Sequence, residues 1–422
     1  MNYDEGLDYL ASLGRFGIRL GMERIEGLLR ELGNPEKKIK TVHVAGTNGK
    51  GSVTTMIANI FLAAGLKVGK FTSPHLVKYN ERIELNGRDM GDEEFAALLT
   101  RVREAADRVV AKGVCDQPTE FEILTAMAFL HFAEAAVDYA VIEVGLGGLW
   151  DSTNVITPLV SVITNVTLEH QDRLGKDLPH IAMQKGGIIK ENVPLVTAAE
   201  GEEVLGPLVS IAMLHSAPVY LYGKAFRGEG KISSMAGQTF TLKAGNNYAS
   251  DYEIKLPGDH QIKNAALAIV AAKLVSKQDD RIGEVALHIG AAHTLWPGRL
   301  ELIGRNPDVV LDGAHNPDGA RVLRQALDKF YPDKKRTFVF GMMGDKNIPE
   351  VAGVLLRPED VVYTVRADEG PRAAEAADLA RIVGANAIPA ESISLAYQAA
   401  LENNDGLVVV CGSLYLVGNF KR

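Results

Sequence analysis

A glycine run framed by two different hydrophobic periods constrains the N-terminal part of this chain more than any other feature. Lys40-Thr-Val-His-Val-Ala45 reads as a buried strand, and Ser52–Ala64 reads as a helix closed by Gly65. Between them lies Gly46-Thr-Asn-Gly-Lys-Gly-Ser52. Glycines let the backbone wrap closely around an anion, whose charge then meets peptide N–H groups and a helix N-terminus. A strand, a glycine loop and a helix in that order make a phosphate-binding loop. Lys50 is placed to reach the outer phosphates and Ser52 to lie near a phosphate-bound Mg²⁺. The spacing departs from the strict Gly-x-x-x-x-Gly-Lys-Ser/Thr form, because Val44 stands at the first glycine position and Gly51 follows the lysine.

The rest of the chain extends this α/β pattern. Leu7, Leu10 and Leu13, then Ile25, Leu28, Leu29 and Leu32, predict two short helices within residues 4–33, with Gly33 as a cap. Tyr139–Val144, Leu159–Thr164 and Pro194–Thr197 are apolar throughout, as strands of a parallel sheet covered on both faces are. Residues 217–257 break the rhythm. Thr239–Lys243 and Tyr252–Leu256 alternate around a Gly-Asn-Asn turn and predict a small antiparallel patch. Helices follow at about 260–276 and 281–293. Trp296-Pro-Gly-Arg299 reads as a linker. Beyond it Val309–Asp312, Thr337–Phe340, Val361–Thr364 and Leu407–Val410 predict a second set of strands separated by helices. The expected fold is therefore a large N-terminal α/β domain with a parallel sheet, residues 1–295, and a smaller Rossmann-like α/β domain, residues 299–422, joined at about 294–299.

Composition limits the function classes. With 45 Lys and Arg against 53 Asp and Glu, the net charge is −8, which argues against general nucleic-acid binding. An anionic ligand must then be held by local positive groups. No apolar stretch is long enough for a membrane span, and the acidic start has no signal-peptide core. The only cysteines, Cys115 and Cys411, read as reduced thiols of a cytoplasmic protein. A monomer is the default expectation.

The loop does not stand alone. Thr72-Ser-Pro-His-Leu76, Pro118-Thr-Glu-Phe-Glu122, Glu143-Val-Gly-Leu-Gly-Gly148 with Asp151-Ser-Thr-Asn154, Gly258-Asp-His-Gln261 with Asn264, Pro297-Gly-Arg299, Asp312-Gly-Ala-His-Asn-Pro317 and Gly412-Ser-Leu-Tyr415 follow it in order. Together with Val44–Ser52 they resemble the signatures of the folylpolyglutamate synthase and dihydrofolate synthase family, in the Mur ligase superfamily. The resemblance implies an ATP-dependent ligase that joins L-glutamate to a pteroyl carboxylate, of dihydropteroate or a reduced folate, through an acyl phosphate. It implies ATP and Mg²⁺ as cofactors. It places Thr47, Asn48, Gly49, Lys50, Gly51 and Ser52 on the ATP phosphates. Asn264 and His315 lie toward adenine, Asp312 toward ribose and Arg299 toward phosphate. Catalytic roles fall to Lys50, His315 and Lys185, which aligns with a lysine carbamylated by CO₂ in this superfamily. Ser52, Ser73, Glu143 and His170 are the implied metal ligands. Pro74, His75, Phe121 and Glu122 are candidate folate contacts, and Lys346, Arg372 and Ser413 candidate glutamate contacts.

Some positions depart from the family pattern. Leu149 and Trp150 stand where an arginine is usual, Glu169 where an aspartate precedes the histidine, and Gln184-Lys-Gly-Gly187 where Glu-Lys-Ala-Gly is common. Competing readings are another Mur-type amino-acid ligase acting on a UDP-sugar precursor, a P-loop NTPase or kinase, and a silent folate-binding protein. The Ser-Pro-His-Leu loop disfavours the first and the Asp312–Pro317 motif the second. The set Lys50, Glu143 and His170 disfavours the third.

Overall fold

The computed structural model describes residues 1–14, 21–245, 247–384, 386–402 and 406–422. Two expectations, the helices within 4–33 and the Gly-Asn-Asn turn, fall partly outside these residues, at 15–20 and at Asn246. The chain divides into two compact units. One comprises Met1–Glu229, Phe240–Glu253 and Ile262–Thr294, and the other Gly230–Thr239, Ile254–Gln261 and Leu295–Arg422.

In the first unit an eight-stranded sheet runs in the order Arg88–Asp89, Ile83–Leu85, Val68–Phe71, Tyr139–Glu143, Thr41–Ala45, Val160–Ile163, Leu195–Thr197 and Val219–Leu221. Six of these strands are parallel, and only the first two pair antiparallel. Thr41–Ala45 is central and fully buried, as its apolar sequence requires. Its neighbours are Tyr139–Glu143 on one side and Val160–Ile163 on the other. Loops leaving these three strands emerge together at their C-terminal ends, where open α/β sheets hold ligands.

Val219–Leu221, at the start of the stretch where the rhythm breaks, still extends the parallel sheet beside Leu195–Thr197. The antiparallel patch has three strands, with Gly237–Ala244 between Phe226–Ser234 and Tyr248–Ile254. Phe226–Ser234 escapes the sequence pattern because it is mostly solvated and carries two glycines, which leaves no apolar alternation. Val68–Phe71 escapes it because Lys70 interrupts the run. That lysine is buried by pairing with Glu84 at 2.5 Å.

The second unit holds a six-stranded sheet, ordered Glu301–Gly304, Asp308–Asp312, Leu407–Cys411, Arg336–Phe340, Val361–Thr364 and Ala387–Pro389. Only Glu301–Gly304 is antiparallel to its neighbour. The two edge strands were not expected from sequence; both are short and half-exposed, so neither needs an apolar run. Helix Pro317–Phe330 starts with proline at its first position and Asn316 as cap, whose Oδ1 accepts from Gly319 N at 2.7 Å.

Candidate active site

The glycine loop of the first unit has the backbone its sequence predicts. Gly46 and Gly49 adopt φ of 149° and 84°. A Cβ at Gly46 would lie 1.8 Å from Thr164 Oγ1, and one at Gly49 would lie 2.6 Å from Asn264 Oδ1. Only glycine fits either place. The loop is pinned by the segment after Val160–Ile163. Asn48 N donates to Asn165 Oδ1 (2.8 Å), Thr164 Oγ1 donates to Asn48 O (2.6 Å), and Thr167 N donates to Thr47 Oγ1 (3.1 Å). Asn165, Thr164 and Thr167 were not singled out in the sequence, because they act on the loop from over a hundred residues away. The helix begins at Lys50, two residues earlier than expected. Lys50 Nζ arches back to donate to Gly46 O (3.2 Å) and Thr47 O (3.3 Å), which holds its charge over the loop.

Glu143 ends Tyr139–Glu143 and is buried. Its Oε2 accepts from Ser73 N at 3.3 Å, which brings Ser73 and Glu143 together. His170 adopts φ of 51°, and its Nε2 lies 3.6 Å from Glu169 Oε1. Among the described residues no three His, Cys, Asp or Glu side chains converge at metal-ligand spacing. Ser52 in the loop, and Ser73 and Glu143 at the end of the neighbouring strand, offer hard oxygen donors. That suits a Mg²⁺ bound also by phosphate and water, and not a soft-metal cage.

Lys185 is buried in helix Leu178–Gly186. Burial first, and the Lys50 charge second, pull its amine down to about 7, while Glu169 opposes the shift. Lys50, Glu169 and Lys185 are therefore electrostatic neighbours.

The Ser73–Lys78 loop is held by Glu81 and Arg82, which lie outside the Ser-Pro-His-Leu motif. Glu81 accepts from the N–H groups of Leu76 (2.7 Å), Val77 (2.8 Å) and Lys78 (2.7 Å). Arg82 Nε donates to His75 Nδ1 at 2.9 Å, and the His75 ring lies 4.3 Å from that of Tyr79. A guanidinium only donates, so His75 carries its hydrogen on Nε2. The available signal was the charged pair Glu81-Arg82 shortly after the loop. Pro74 follows Ser73 through a cis peptide bond.

Phe121 rests partly on the core, 5.8 Å from the Phe71 ring, with its ring tip against Gly145. Glu122 has a structural role. Its carboxylate accepts from Thr119 N (2.7 Å), Thr119 Oγ1 (2.9 Å) and Arg24 Nε (3.0 and 3.1 Å). It is the capping carboxylate of helix Glu120–Glu134, with its oxygens already taken, so we assign it to the fold and not to folate. Arg24→Ala is expected to lower unfolding stability by about 3 kcal/mol, because it strands a buried carboxylate. Denaturant titration measures this, and an unchanged midpoint and slope would refute the assignment.

In the second unit the Asp312 carboxylate accepts from Leu300 N (2.9 Å) and Ala314 N (2.8 Å). Burial pushes its carboxyl up, and Arg299 opposes this. His315 Nδ1 donates to Gly313 O at 2.8 Å, and the Arg299 guanidinium lies against Gly313. Arg299, Asp312, Gly313 and His315 thus meet at the end of Asp308–Asp312. His260, which carried no expected role, joins Arg299; burial and then that charge pull its ring down to about 4. Ser413 caps Leu414–Lys421, its Oγ accepting from Tyr415 N at 3.1 Å. Arg372 pairs with Asp345 at 3.2 Å, next to Lys346.

The chain matches the Mur ligase middle domain over residues 44–272 and the Mur ligase glutamate ligase domain over residues 298–414. It is 37% identical to the dihydrofolate synthase/folylpolyglutamate synthase of Bacillus subtilis, covering 100% of this chain and 98% of that one. It is 36% identical to the folylpolyglutamate synthase of Lacticaseibacillus casei, covering 100% and 98%. The chain belongs to the folylpolyglutamate synthase/dihydrofolate synthase family of Mur ligases. Its fold agrees with that of the Mycobacterium tuberculosis folylpolyglutamate synthase complexed with ADP, at a TM-score of 0.91, 30% identity and coverage of 100% and 98%. Both matched domains are therefore present in one chain, and the glycine loop opens the first of them.

Proposed function

We propose that this ligase uses ATP and Mg²⁺ to join L-glutamate to the carboxylate of dihydropteroate and of reduced folates. The observation that carries the reading is the placement of Lys50 over the glycine loop, electrostatically coupled to buried Lys185 and beside the strand that ends in Glu143.

The loop N–H groups of Thr47–Ser52 and the Lys50 ammonium hold the outer phosphates, with the helix N-terminus behind them. A pteroyl carboxylate oxygen attacks the γ-phosphorus, and the bond to the β–γ bridging oxygen breaks to release ADP. Charge builds on the transferring group, and Lys50 lies where it is countered. The glutamate amine then attacks the acyl carbon, loses a proton and expels phosphate. Ser52, Ser73 and Glu143 would hold Mg²⁺, with His170 as a further ligand. When bound, the metal neutralises phosphate charge. Carbamylation of Lys185 would turn its ammonium into an anionic oxygen donor toward that metal. Asn264, which covers Gly49, and Arg299, Asp312 and His315 are assigned to ATP, with His315 also given a catalytic role. Pro74, His75 and Phe121 are assigned to the pterin, and Lys346, Arg372 and Ser413 to glutamate.

Phosphate release from ATP–Mg²⁺ tests this, with glutamate and either dihydropteroate or a reduced folate added in turn. Release dependent on both glutamate and a pteroyl acceptor is expected for each acceptor. Release without glutamate would sink the ligase reading, and release with UDP-muramoyl acceptors would redirect it. Gly46→Ala is expected to raise the KM for ATP roughly tenfold or more, equivalent to about 1.4 kcal/mol, because its Cβ cannot coexist with Thr164. Steady-state kinetics check it, and a wild-type KM would show that the loop does not bind phosphate as assigned.

A further inference from the structure

One buried histidine has no part in the chemistry above. His43 sits in Thr41–Ala45, the strand that leads into the glycine loop, and is 0% exposed. Its Nε2 lies 2.8 Å from Thr153 Oγ1. That hydroxyl gives its one hydrogen to Asp151 Oδ1 at 2.5 Å, so toward the histidine it accepts. Nε2 therefore bears the ring hydrogen, and Nδ1 is a lone pair. Nδ1 is buried without a hydrogen-bond partner. Burial first, and the Lys190 charge second, keep the ring neutral, with its pKa down at about 3.

Asp151 forms the other end of this chain of hydrogen bonds. Its carboxylate also accepts from Thr153 N (3.0 Å) and Leu146 N (2.8 Å). Leu146 belongs to the glycine-rich turn that follows Glu143. The same turn lies on the helix that carries Lys185. Leu149 N donates to Gln184 O at 2.7 Å, and a Cβ on Gly148 would meet the carbonyls of Gln184 and Lys185 at 2.8 and 2.9 Å. Stability alone does not call for histidine at position 43. An apolar side chain there would avoid both the desolvation of an imidazole and the unsatisfied Nδ1.

We propose that His43 is a positioning residue: through Thr153 and Asp151 it sets the turn between Glu143 and Trp150, and so places Glu143 and Lys185 relative to Lys50. This rests on the ligase reading for the roles of those three residues. His43 touches no substrate. It acts as outer hydrogen-bonding partners of metal ligands do, by fixing the groups that do the holding.

The test uses the full chain with AMPPCP and Mn²⁺ in place of Mg²⁺, and reads Mn²⁺ affinity by water-proton relaxation alongside turnover. His43→Leu is expected to keep the wild-type circular dichroism spectrum, to weaken Mn²⁺ at the nucleotide complex by about tenfold and to lower kcat by a similar factor. His43→Gln, whose side-chain N–H can still donate to Thr153, is expected to recover most of both. Thr153→Val is expected to match His43→Leu, and the double variant to be no worse than either single one. Thr153→Val carries the comparison if His43→Leu does not fold. Wild-type Mn²⁺ affinity and kcat in a folded His43→Leu, no recovery in His43→Gln, or additive losses in the double variant would each overturn the proposal. So would nitrogen-15 histidine NMR that places the His43 hydrogen on Nδ1. A wild-type chain that binds Mn²⁺ as expected but shows no glutamate-dependent turnover would reject the ligase reading and leave the His43 linkage standing.

Discussion

Lys50→Ala is expected to fold normally and to lower kcat for glutamate ligation by about 10²–10³-fold, the usual cost of losing one donor aimed at developing charge. The fold is spared because, among the described residues, Lys50 Nζ bonds carbonyls of its own loop, Gly46 O and Thr47 O, and no carboxylate, so its removal strands no partner charge there. Catalysis is not spared. The chain carries a net charge of −8, and ATP and a pteroyl carboxylate are both anionic. Local cations must therefore supply the field that the surface as a whole opposes. Lys50→Arg is expected to rescue poorly, since a planar guanidinium is not a point charge and cannot take the same place over a tight loop. Measurement of kcat and the KM for ATP, with circular dichroism to verify folding, decides this. A variant within threefold of wild type would remove Lys50 from phosphoryl transfer.

Lys185→Ala is expected to abolish nearly all turnover, by at least ~10²-fold, with partial recovery on adding short carboxylates that replace a carbamate near the metal. The physical basis is the state of the amine. At an ordinary pKa of 10.5, about one lysine in 3,000 is neutral at pH 7, whereas one whose pKa is about 7 is half neutral. Only the neutral amine attacks CO₂, so burial prepares this side chain for carbamylation. The sign for stability follows from the same shift. Between pH about 7 and 10.5 the unfolded chain binds more protons at Lys185 than the folded chain does, so this group makes stability rise with pH across that window. Activity lost in CO₂-depleted buffer at pH 8 is expected to return with bicarbonate, and to return far less at pH 6. Carbon-13 NMR with labelled bicarbonate should show a carbamate signal that Lys185→Ala lacks. Full activity in that variant, or no such signal in the wild type, would exclude the modification.

The two variants probe residues of different legibility. Lys50 is plain in the sequence because a glycine loop between a strand and a helix is a local object. The glycines that free its backbone lie within seven positions. Glu143 is nearly as plain, as a charge ending an apolar strand. Glu122 misleads for a related reason. Thr119 and Glu122 form a capping box that is readable locally, but the Arg24 that occupies the rest of the carboxylate lies far off in the chain. Asp312 is similar, since its oxygens accept from Leu300 and Ala314 across a turn that no periodicity reveals.

The sequence by itself determined the fold class, the positions of the main parallel strands and the glycine loop. Each of these depends on hydrophobic period and on glycine, which act over a few residues. Tertiary structure alone decided what grips that loop and tunes its neighbours. It brings Thr164 and Asn165 onto the loop's peptide groups, Thr167 onto the Thr47 hydroxyl and Asn264 against Gly49, buries Lys185 beside Lys50, and links His43 through Thr153 to Asp151. The reason is that burial and hydrogen-bond geometry are set by groups distant in the chain. A lysine shows its charge in any sequence, but the pKa that makes it reactive exists only once the fold has removed its water.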